Sequence, residues 1–316
     1  TAQSGVLIRD VLETFLEKGW ALPVMPSTKY LTLGGCVAAD ITGLNHRMGT
    51  FGHWIDSMTI IIGTGERVTC SRTENSDLFR ATIGGMGLTG FIEDITLRLI
   101  PLETTQLNVK SIRFGNVAEG VRLLQRYDNQ HTYLSCWLDG LTGGASIGRG
   151  YITVADPKPD ARAKTPYDRG RHSKLADKAA NVLAAGAARI LLNPVAHKVL
   201  NTLYFMKKGK GGSQQQEMVD FFFHADKLPK WYGAFGKKGM YQFECVVPPK
   251  AAEKLIPKLL QTANNHGVYP LRANMYLQSE KAGEGDLSFS MPGVALSLDF
   301  SGQNSRKVKD TLRKLT

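Results

Sequence analysis

The 316-residue sequence predicts an α+β protein made of two domains. Two glycine-rich passages, at residues 31–58 and 81–101, enclose a strand–turn–strand pattern, and two β-α-β patterns follow them. Strands that alternate with single helices in this way predict an antiparallel sheet covered by helices on one face. We assign residues 1–104 to the first domain and 105–316 to the second, with a basic insertion near 157–217 that we expect to be mobile.

The first domain begins with a predicted helix. Within residues 5–20 apolar side chains recur at helical spacing, and Gly19 provides a stop. The next predicted elements are two strands joined by a tight turn and a short helix with a polar cap: strands at 60–62 and 68–70, the turn at 63–66, and a helix that starts at Asn75 or Ser76. Alternation resumes at 96–100, and Pro101 closes the domain.

The second domain reads as two similar sets of strands and helices. The first set comprises strands at 106–116, 131–140 and 145–155 around a helix at 117–130. The second set comprises strands at 239–248, 269–280 and 293–301 and a helix at 251–267 that ends at a glycine. The repetition predicts that both sets contribute to one sheet.

Composition limits the class of protein and its partners. Hydrophobic residues make up 42% and charged residues 21%, values that suit a folded domain, and no apolar run approaches the length of a membrane span. The net charge of +11 suits nucleic acid, an anionic membrane surface, a phosphorylated substrate or a merely solvated basic face. Because no nucleic-acid-binding motif accompanies the charge, we predict no nucleic-acid partner.

Cysteine and histidine usage argues against metal and disulfide frameworks. The four cysteines, at positions 36, 70, 136 and 245, stand singly with no C-x-x-C pair. We therefore predict free thiols, no bound metal and a reducing compartment, which favours a cytoplasmic location.

The two glycine-rich passages are the main functional signal. Each contains a Gly-Gly pair, at Gly34-Gly35 and Gly84-Gly85, and neither has the spacing of a dinucleotide or P-loop fingerprint. Glycine adopts positive φ freely and lets a ligand lie against backbone N–H groups, which suits anions and electron-rich rings. One such pair favours a simple turn, whereas two within one segment favour a ligand site.

Motifs along nearly the whole chain resemble a known family. The passages contain GG-x-x-A-x-D-x-x-G-x-N-H at 34–46 and DLF-x-AT-x-GG-x-GLTG-x-I at 77–92, and further likeness lies at 133–139, 221–248 and 287–300. This combination resembles the FAD-linked oxidases of the vanillyl-alcohol oxidase and p-cresol methylhydroxylase (PCMH-type) superfamily. The most similar branch oxidises a secondary hydroxyl of a polyprenyl-phosphate pentose as one half of an epimerisation in cell-wall biosynthesis.

The resemblance implies a flavin site on the first domain. It implies non-covalent FAD contacts with small and polar residues of both passages: Gly34, Gly35, Ala39, Asp40, Thr42, Gly43, Asn45, Gly84, Gly85, Gly87, Thr89, Gly90 and Ile92. For Asp40 a turn-capping role is an equal alternative. The family's first FAD-binding subdomain and its C-terminal active-site end have no counterpart here. We therefore expect residues 1–104 to be the second part of a FAD-binding domain in a longer enzyme, and FAD to be lost readily from this piece.

The catalytic candidates come from the second domain. Strand periodicity sends Gln242 and Glu244 to one face, where the family has two glutamines over the flavin, and Glu244 is placed to act as a base. A solvent-facing strand pair is the alternative. Ser297 stands where the family has a reactive cysteine, and Tyr204 near the family's substrate mouth. His46 is either a base or, more commonly for a lone histidine, a structural hydrogen-bonding residue.

Departures from the family keep other functions open. Thr42 and Leu44 stand where the family has a histidine and a lysine. An aldonolactone or soluble-sugar oxidase and a flavin-less binding or assembly subunit are therefore alternatives. The resemblance also implies an NAD(P)H-dependent short-chain reductase as partner. The apolar, helix-forming stretch at 175–205 is either plain packing or a peripheral contact with the inner face of the membrane.

Overall fold

A computed structural model gives the fold. It describes residues 1–158, 186, 192–207, 212–227, 235, 237–278 and 281–316. Most of the basic insertion, and with it the expectation of mobility, lies outside the described residues.

The first sheet has four antiparallel strands in the order β1-β5-β3-β4. In chain order the elements are β1 (Ala2–Gln3), α1 (Ile8–Phe15), β2 (Trp20–Ala21), α2 (Leu33–Ala38), β3 (Ile55–Ile61), β4 (Arg67–Ser71), α3 (Ser76–Thr82), β5 (Phe91–Leu97) and β6 (Ile100–Pro101). The predicted hairpin is confirmed, since β3 pairs with β4 across the turn. The predicted first helix also forms, and the chain leaves its final 3-10 turn at Gly19, whose φ is 81°.

The structure excludes one local alternative and corrects one local prediction. The first Gly-Gly pair lies inside the short helix α2 and not in a turn, because the Thr32 hydroxyl caps this helix by accepting from the Gly35 N–H at 3.1 Å. Asn75 does occupy the cap position of α3, but its amide donates to the Thr69 carbonyl at 2.7 Å and makes no side-chain cap bond.

The second sheet has seven strands in the order β10-β7-β9-β8-β12-β13-β11, each paired antiparallel with its neighbours. Its elements are β7 (Gln106–Phe114), α4 (Val117–Tyr127), β8 (Tyr133–Leu138), β9 (Gly150–Pro157), α5 (Pro194–Lys207), β10 (Gln214–Glu217), α6 (Met218–Phe222), β11 (Met240–Val247), α7 (Pro249–Asn265), β12 (Arg272–Gln278), β13 (Gly293–Ser301) and α8 (Ser305–Leu315). The predicted α+β class is confirmed.

One face of this sheet is apolar and covered by helices. Met275, Leu296 and Phe243 pack there in one core with residues of α4, α7 and α8. Because side chains alternate along a strand, the intervening residues point to the opposite face. A row of directly paired residues crosses five strands on that face: Tyr151, Trp137, Asn274, Ser297 and Glu244. This polar and aromatic face is the one available for chemistry.

The first core draws on both parts of the chain. Ile55, Met58 and Phe79 from the first sheet and its helix share a buried cluster with Tyr133 and Phe222 from the second part. The Phe222 ring meets the Tyr133 ring edge-on at 5.1 Å between centroids. The domain boundary between residues 104 and 105 stays a prediction. It separates the strands of the two sheets along the sequence, but residues from both sides of it pack together in this core.

The four cysteines are free, and three of them are buried. Burial raises the pKa of the Cys36 thiol to about 12, so this residue of α2 packs as a small apolar side chain. In the described part of the chain, no helix combines the length and the apolar character that crossing a bilayer requires.

Candidate active site

A cavity of about 330 Å³ lies between the first glycine passage and the polar face of the second sheet. The two walls come from residues far apart in sequence. The loop wall includes Ala39, Asp40, Thr42, Gly43 and Leu44, and the sheet wall includes Gln242, Glu244, Arg272, Tyr276 and Ser297. The structure therefore brings three of the four predicted catalytic residues together with four of the predicted cofactor-binding residues.

Hydrogen bonds order the sheet wall. Glu244 and Ser297 are direct cross-strand partners, and the Gln242 side chain donates to the Ser297 hydroxyl at 3.1 Å. Gln242 and Arg272 are both cross-strand partners of Asp299, and the Arg272 Nε donates to the Asp299 carboxylate at 2.5 Å. Alternation therefore presents a carboxylate, an amide, a hydroxyl and a guanidinium to one cavity.

Protein surroundings raise the pKa of the Glu244 carboxyl. The main cause is desolvation, the nearby Asp299 charge adds to it, and Arg272 opposes it. The side chain remains exposed to the solvent in the cavity while protein surrounds it on most sides. Desolvation also raises the pKa of the Tyr276 hydroxyl to about 12. Glu244 and Tyr276 are thus two acid–base groups of this wall whose charged forms are disfavoured.

Asp299 is the buried counterpart of Arg272. Its side chain is 1% exposed, and desolvation raises its pKa while the Arg272 charge and hydrogen bond lower it. Its second oxygen, Oδ1, has no hydrogen-bond partner among the described residues. The ion pair therefore holds the Arg272 side chain at the cavity wall.

The loop wall is shaped by Asp40. This residue has a left-handed φ of 42°, and its carboxylate accepts from the Gly52 N–H at 2.8 Å and from the Ser288 hydroxyl at 2.6 Å. Both oxygens are engaged, so the structure supports the turn-capping alternative for Asp40 over a ligand role. A Cβ at Gly43 would lie 2.6 Å from the Met25 carbonyl, so this position requires glycine for packing.

Backbone donors of the loop wall suit a flavin. Within the described residues, the N–H groups of Thr42, Gly43 and Leu44 donate to no protein acceptor, and all three residues line the cavity. Backbone N–H groups without a protein acceptor at a cavity wall are the kind of donors that bind anions and electron-rich rings. The buried Oδ1 of Asn45 also has no partner in that part of the chain, but it is an acceptor and not one of these donors. This donor set fits FAD.

The two glycines of α2 use their N–H groups inside the protein. Gly34 donates to the Ser4 carbonyl at 2.8 Å, and Gly35 donates to Thr32. Their amides are therefore occupied, and their predicted flavin contacts stay predictions. A Cβ at Gly34 would lie 2.8 Å from the Ser4 side chain, so close packing against the N-terminal segment explains this glycine.

The second glycine passage is joined to α2 by backbone hydrogen bonds. The Gly84 N–H donates to the Val37 carbonyl at 3.0 Å, and the Met86 N–H donates to the Ala38 carbonyl at 2.9 Å. In the described structure none of the six predicted flavin residues of this passage lines the 330 Å³ cavity: Gly84, Gly85, Gly87, Thr89, Gly90 and Ile92. Their flavin contacts stay predictions.

His46 and Tyr204 are placed outside the cavity. His46 is 5% exposed, and its Nε2 lies 2.9 Å from the Asp128 carboxylate, which favours the structural alternative for this histidine. Tyr204, on α5, packs against Trp137 with ring centroids 5.1 Å apart and accepts a hydrogen bond from the Tyr151 hydroxyl. It covers the same sheet face over β8 and β9, whereas Glu244 lies on β11.

Arg272, Tyr276 and Asp299 were missed by the sequence analysis. The signal was present in β12, where Arg272, Asn274 and Tyr276 alternate with Ala273 and Met275. The same alternation places Leu277 against the helix-covered core.

Comparisons with known proteins bear on this site. Residues 1–71 match the family described as FAD binding domain. The chain is 29% identical over 307 residues to the decaprenylphosphoryl-beta-D-ribose oxidase of Mycolicibacterium smegmatis, covering 94% of this chain and 65% of that protein. It is 31% identical over 140 residues to the D-arabinono-1,4-lactone oxidase of Yarrowia lipolytica, covering 43% and 26%. A third relative, the Delta(24)-sterol reductase of Homo sapiens, is 37% identical over 84 residues, or 26% and 16%.

These matches confirm the resemblance to FAD-linked oxidases and support FAD as the cofactor. The chain spans less than two thirds of the length of these relatives. The matched segment at 1–71 contains the whole loop wall of the cavity, including Thr42 and Gly43.

Proposed function

From the similarity of this chain to FAD-linked oxidases, we propose that it is a FAD-dependent oxidoreductase that oxidises a secondary hydroxyl of a sugar. One observation carries the proposal. The loop that fits FAD and the polar face of the second sheet form the two walls of one cavity, and Glu244 lies in it with a raised pKa. An oxidase of this kind needs an electron acceptor, a base and hydrogen-bonding groups for hydroxyls around one space.

The residues divide these tasks. FAD, when bound, supplies the acceptor for the hydride that leaves the carbinol carbon. Glu244 takes the hydroxyl proton, because its raised pKa strengthens its affinity for a proton. Gln242 and Ser297, already joined by a hydrogen bond, orient neighbouring hydroxyls of the sugar. Unpaired N–H groups at Thr42 and Gly43 hold the electron-rich cofactor.

We further propose that the sugar is a polyprenyl-phosphate pentose. The support is the similarity to the mycobacterial oxidase over 94% of this chain, together with a net charge of +11 that suits a phosphorylated lipid at a membrane. In this proposal the keto sugar passes to an NAD(P)H-dependent short-chain reductase, and the two reactions together invert one carbon. The enzyme would act at the cytoplasmic face of the inner membrane.

A soluble-sugar or aldonolactone oxidase is the second candidate. The Yarrowia relative favours it, as do Thr42 and Leu44 at positions where the resembling branch has a histidine and a lysine. We also propose that residues 1–104 supply one part of a larger flavin-binding domain, because the chain covers 65% of the mycobacterial relative.

The first experiment is an absorption spectrum of this chain and of the natural full-length product, each with added FAD. A flavin band that bleaches anaerobically with a polyprenyl-phosphoribose supports the oxidase and its lipid-linked substrate. Bleaching by aldonolactones or free sugars alone favours the second candidate. The absence of a flavin band in both proteins would overturn the enzyme and leave a binding or assembly subunit.

A further inference from the structure

The helix α5 carries an apolar stripe that no other element of the described chain covers. Four of its side chains are largely exposed: Val195 at 75%, Val199 at 54%, Leu203 at 58% and Met206 at 52%. Their spacing of four, four and three residues places them within about 80° of arc on one side of the helix. Removing such side chains from water is favourable. A stripe of four exposed apolar side chains therefore indicates a surface that contacts other apolar groups, in a protein or in a membrane.

The other side of the helix is anchored to the protein. The Asn201 amide donates to Asp139 at 2.9 Å, and Tyr204 packs on Trp137 and Tyr151. His197, which helical geometry places on the same side as Asn201 and Tyr204, is 2% exposed. These contacts fix the rotation of α5, so the stripe faces outward because the fold holds it there.

Lysines lie on both sides of the stripe. Lys198 and Lys207 are exposed, and helical geometry puts them on opposite flanks of the apolar side chains. Long lysine side chains can extend away from an apolar layer toward phosphate groups. The helix of 14 residues is about 21 Å long, which is too short to cross a bilayer but suits a position along its surface.

We propose that α5 docks the protein on an anionic lipid bilayer, with the stripe at the boundary between headgroups and acyl chains and the two lysines at lipid phosphates. Charge complementarity selects this occupant. The chain has a net charge of +11, so a second copy would bring like charges together around the same lysines, whereas an anionic surface would neutralise them. The docking surface does not depend on the proposed oxidation.

Vesicle flotation tests the proposal with the full chain. Phosphatidylcholine vesicles with about 30% phosphatidylglycerol should carry the protein, and pure phosphatidylcholine vesicles should carry much less of it. The substitution Leu203→Glu puts a carboxylate into the stripe and should lower the partition coefficient by about tenfold or more. Leu255→Glu is the matched control, because Leu255 is an exposed leucine on α7, 42% exposed, and the change in net charge is the same.

The lysines are tested separately. The pair Lys198→Gln and Lys207→Gln should reduce the preference for anionic vesicles severalfold more than Lys254→Gln with Lys258→Gln on α7, which removes the same charge. Equal losses for Leu203→Glu and Leu255→Glu would overturn the proposal in favour of net charge alone. Failure of the unsubstituted protein to bind anionic vesicles, or a dimer in sedimentation that Leu203→Glu abolishes, would overturn it as well.

Discussion

At the scale of single residues, the position of Glu244 in the fold changes the pKa of its carboxyl group. Its ordinary pKa is raised because the cavity walls remove water and because Asp299 stands nearby, while Arg272 offsets part of the effect. The folded protein therefore binds a proton at Glu244 more tightly than the unfolded chain does. It follows that the ionised carboxylate destabilises the fold, and that this effect belongs to the pH range above the ordinary value of 4.5.

The first prediction concerns Glu244→Gln. Because the folded pKa is raised, stability is lost as the pH rises from 4.5 through the folded pKa, and the substitution should remove this loss. The melting temperature of the variant should match that of the unsubstituted protein near pH 4 and exceed it near pH 8. The measurement is thermal unfolding across this range, with Glu66→Gln at the exposed β3–β4 turn as control. A variant that is less stable near pH 8 would contradict the assigned surroundings of Glu244.

The second prediction concerns Asp40, which joins the loop wall to Gly52 and Ser288. Asp40→Ala removes both hydrogen bonds and places an alanine at a φ of 42°, so it should lower the free energy of unfolding by about 2 to 4 kcal/mol. Ser288→Ala removes one of these bonds and also the hydroxyl that accepts from the Gly285 N–H at 2.9 Å, and it should cost about 1 to 3 kcal/mol. Denaturant titrations measure both. Equal stability of Asp40→Ala and the unsubstituted protein would show that the loop wall does not depend on this carboxylate.

At the scale of elements, the glycines of the two passages are required by different structural constraints. In the second passage a Cβ at Gly90 would lie 2.4 Å from the Ile61 carbonyl, and at Gly85 it would lie 2.1 Å from the Ala81 carbonyl. Gly87 has a φ of 78° but open space around it. Backbone packing therefore explains Gly85 and Gly90, whereas Gly87 remains open to a ligand.

The third prediction compares Gly90→Ala with Gly87→Ala. The first adds a clash with the backbone of β3 to a φ of 147° and should cost about 2 kcal/mol or more, and the second adds backbone strain alone, about 1 kcal/mol. Denaturant titration gives the two values, and FAD titration of both variants reports whether Gly87 lies near the cofactor. Equal costs would mean that the close approach of the 84–90 loop to β3 does not persist in solution.

At the scale of the whole molecule, the two sheets share a core. Phe222 of α6 is 1% exposed and belongs to the cluster that contains Ile55, Met58 and Phe79 of the first part. The carboxylate of Asp226 adds a polar link, since it accepts from the Thr28 hydroxyl at 2.9 Å and from the Lys29 N–H at 2.8 Å. The second part of the chain therefore completes the packing of the first.

The fourth prediction follows from this shared core. Phe222→Ala should lower the free energy of unfolding by about 3 to 5 kcal/mol and leave a single unfolding transition. Amide hydrogen exchange should accelerate in β3 and β5 as well as around α6, because the space that the substitution leaves lies in the core that these elements share. Faster exchange confined to residues near 218–222 would instead mean that the parts unfold independently.

The sequence by itself determined much of the local structure and the class of site. Apolar alternation predicted the β3–β4 hairpin and the common face of Gln242 and Glu244, and the glycine passages indicated FAD through their likeness to a family. It did not predict the helix α2, where the Thr32 cap outweighs the low helix propensity of two glycines.

Only the tertiary structure decided which surfaces face each other. Periodicity reports which side of a strand a residue occupies, but it carries no information about the distant segment that packs over that side. The opposition of Thr42 and Glu244 across one cavity, the pairing of Arg272 with Asp299 and the position of Tyr204 over β8 and β9 all depend on long-range contacts. The same contacts set the desolvation that raises the pKa of Glu244, because burial is a property of the assembled fold.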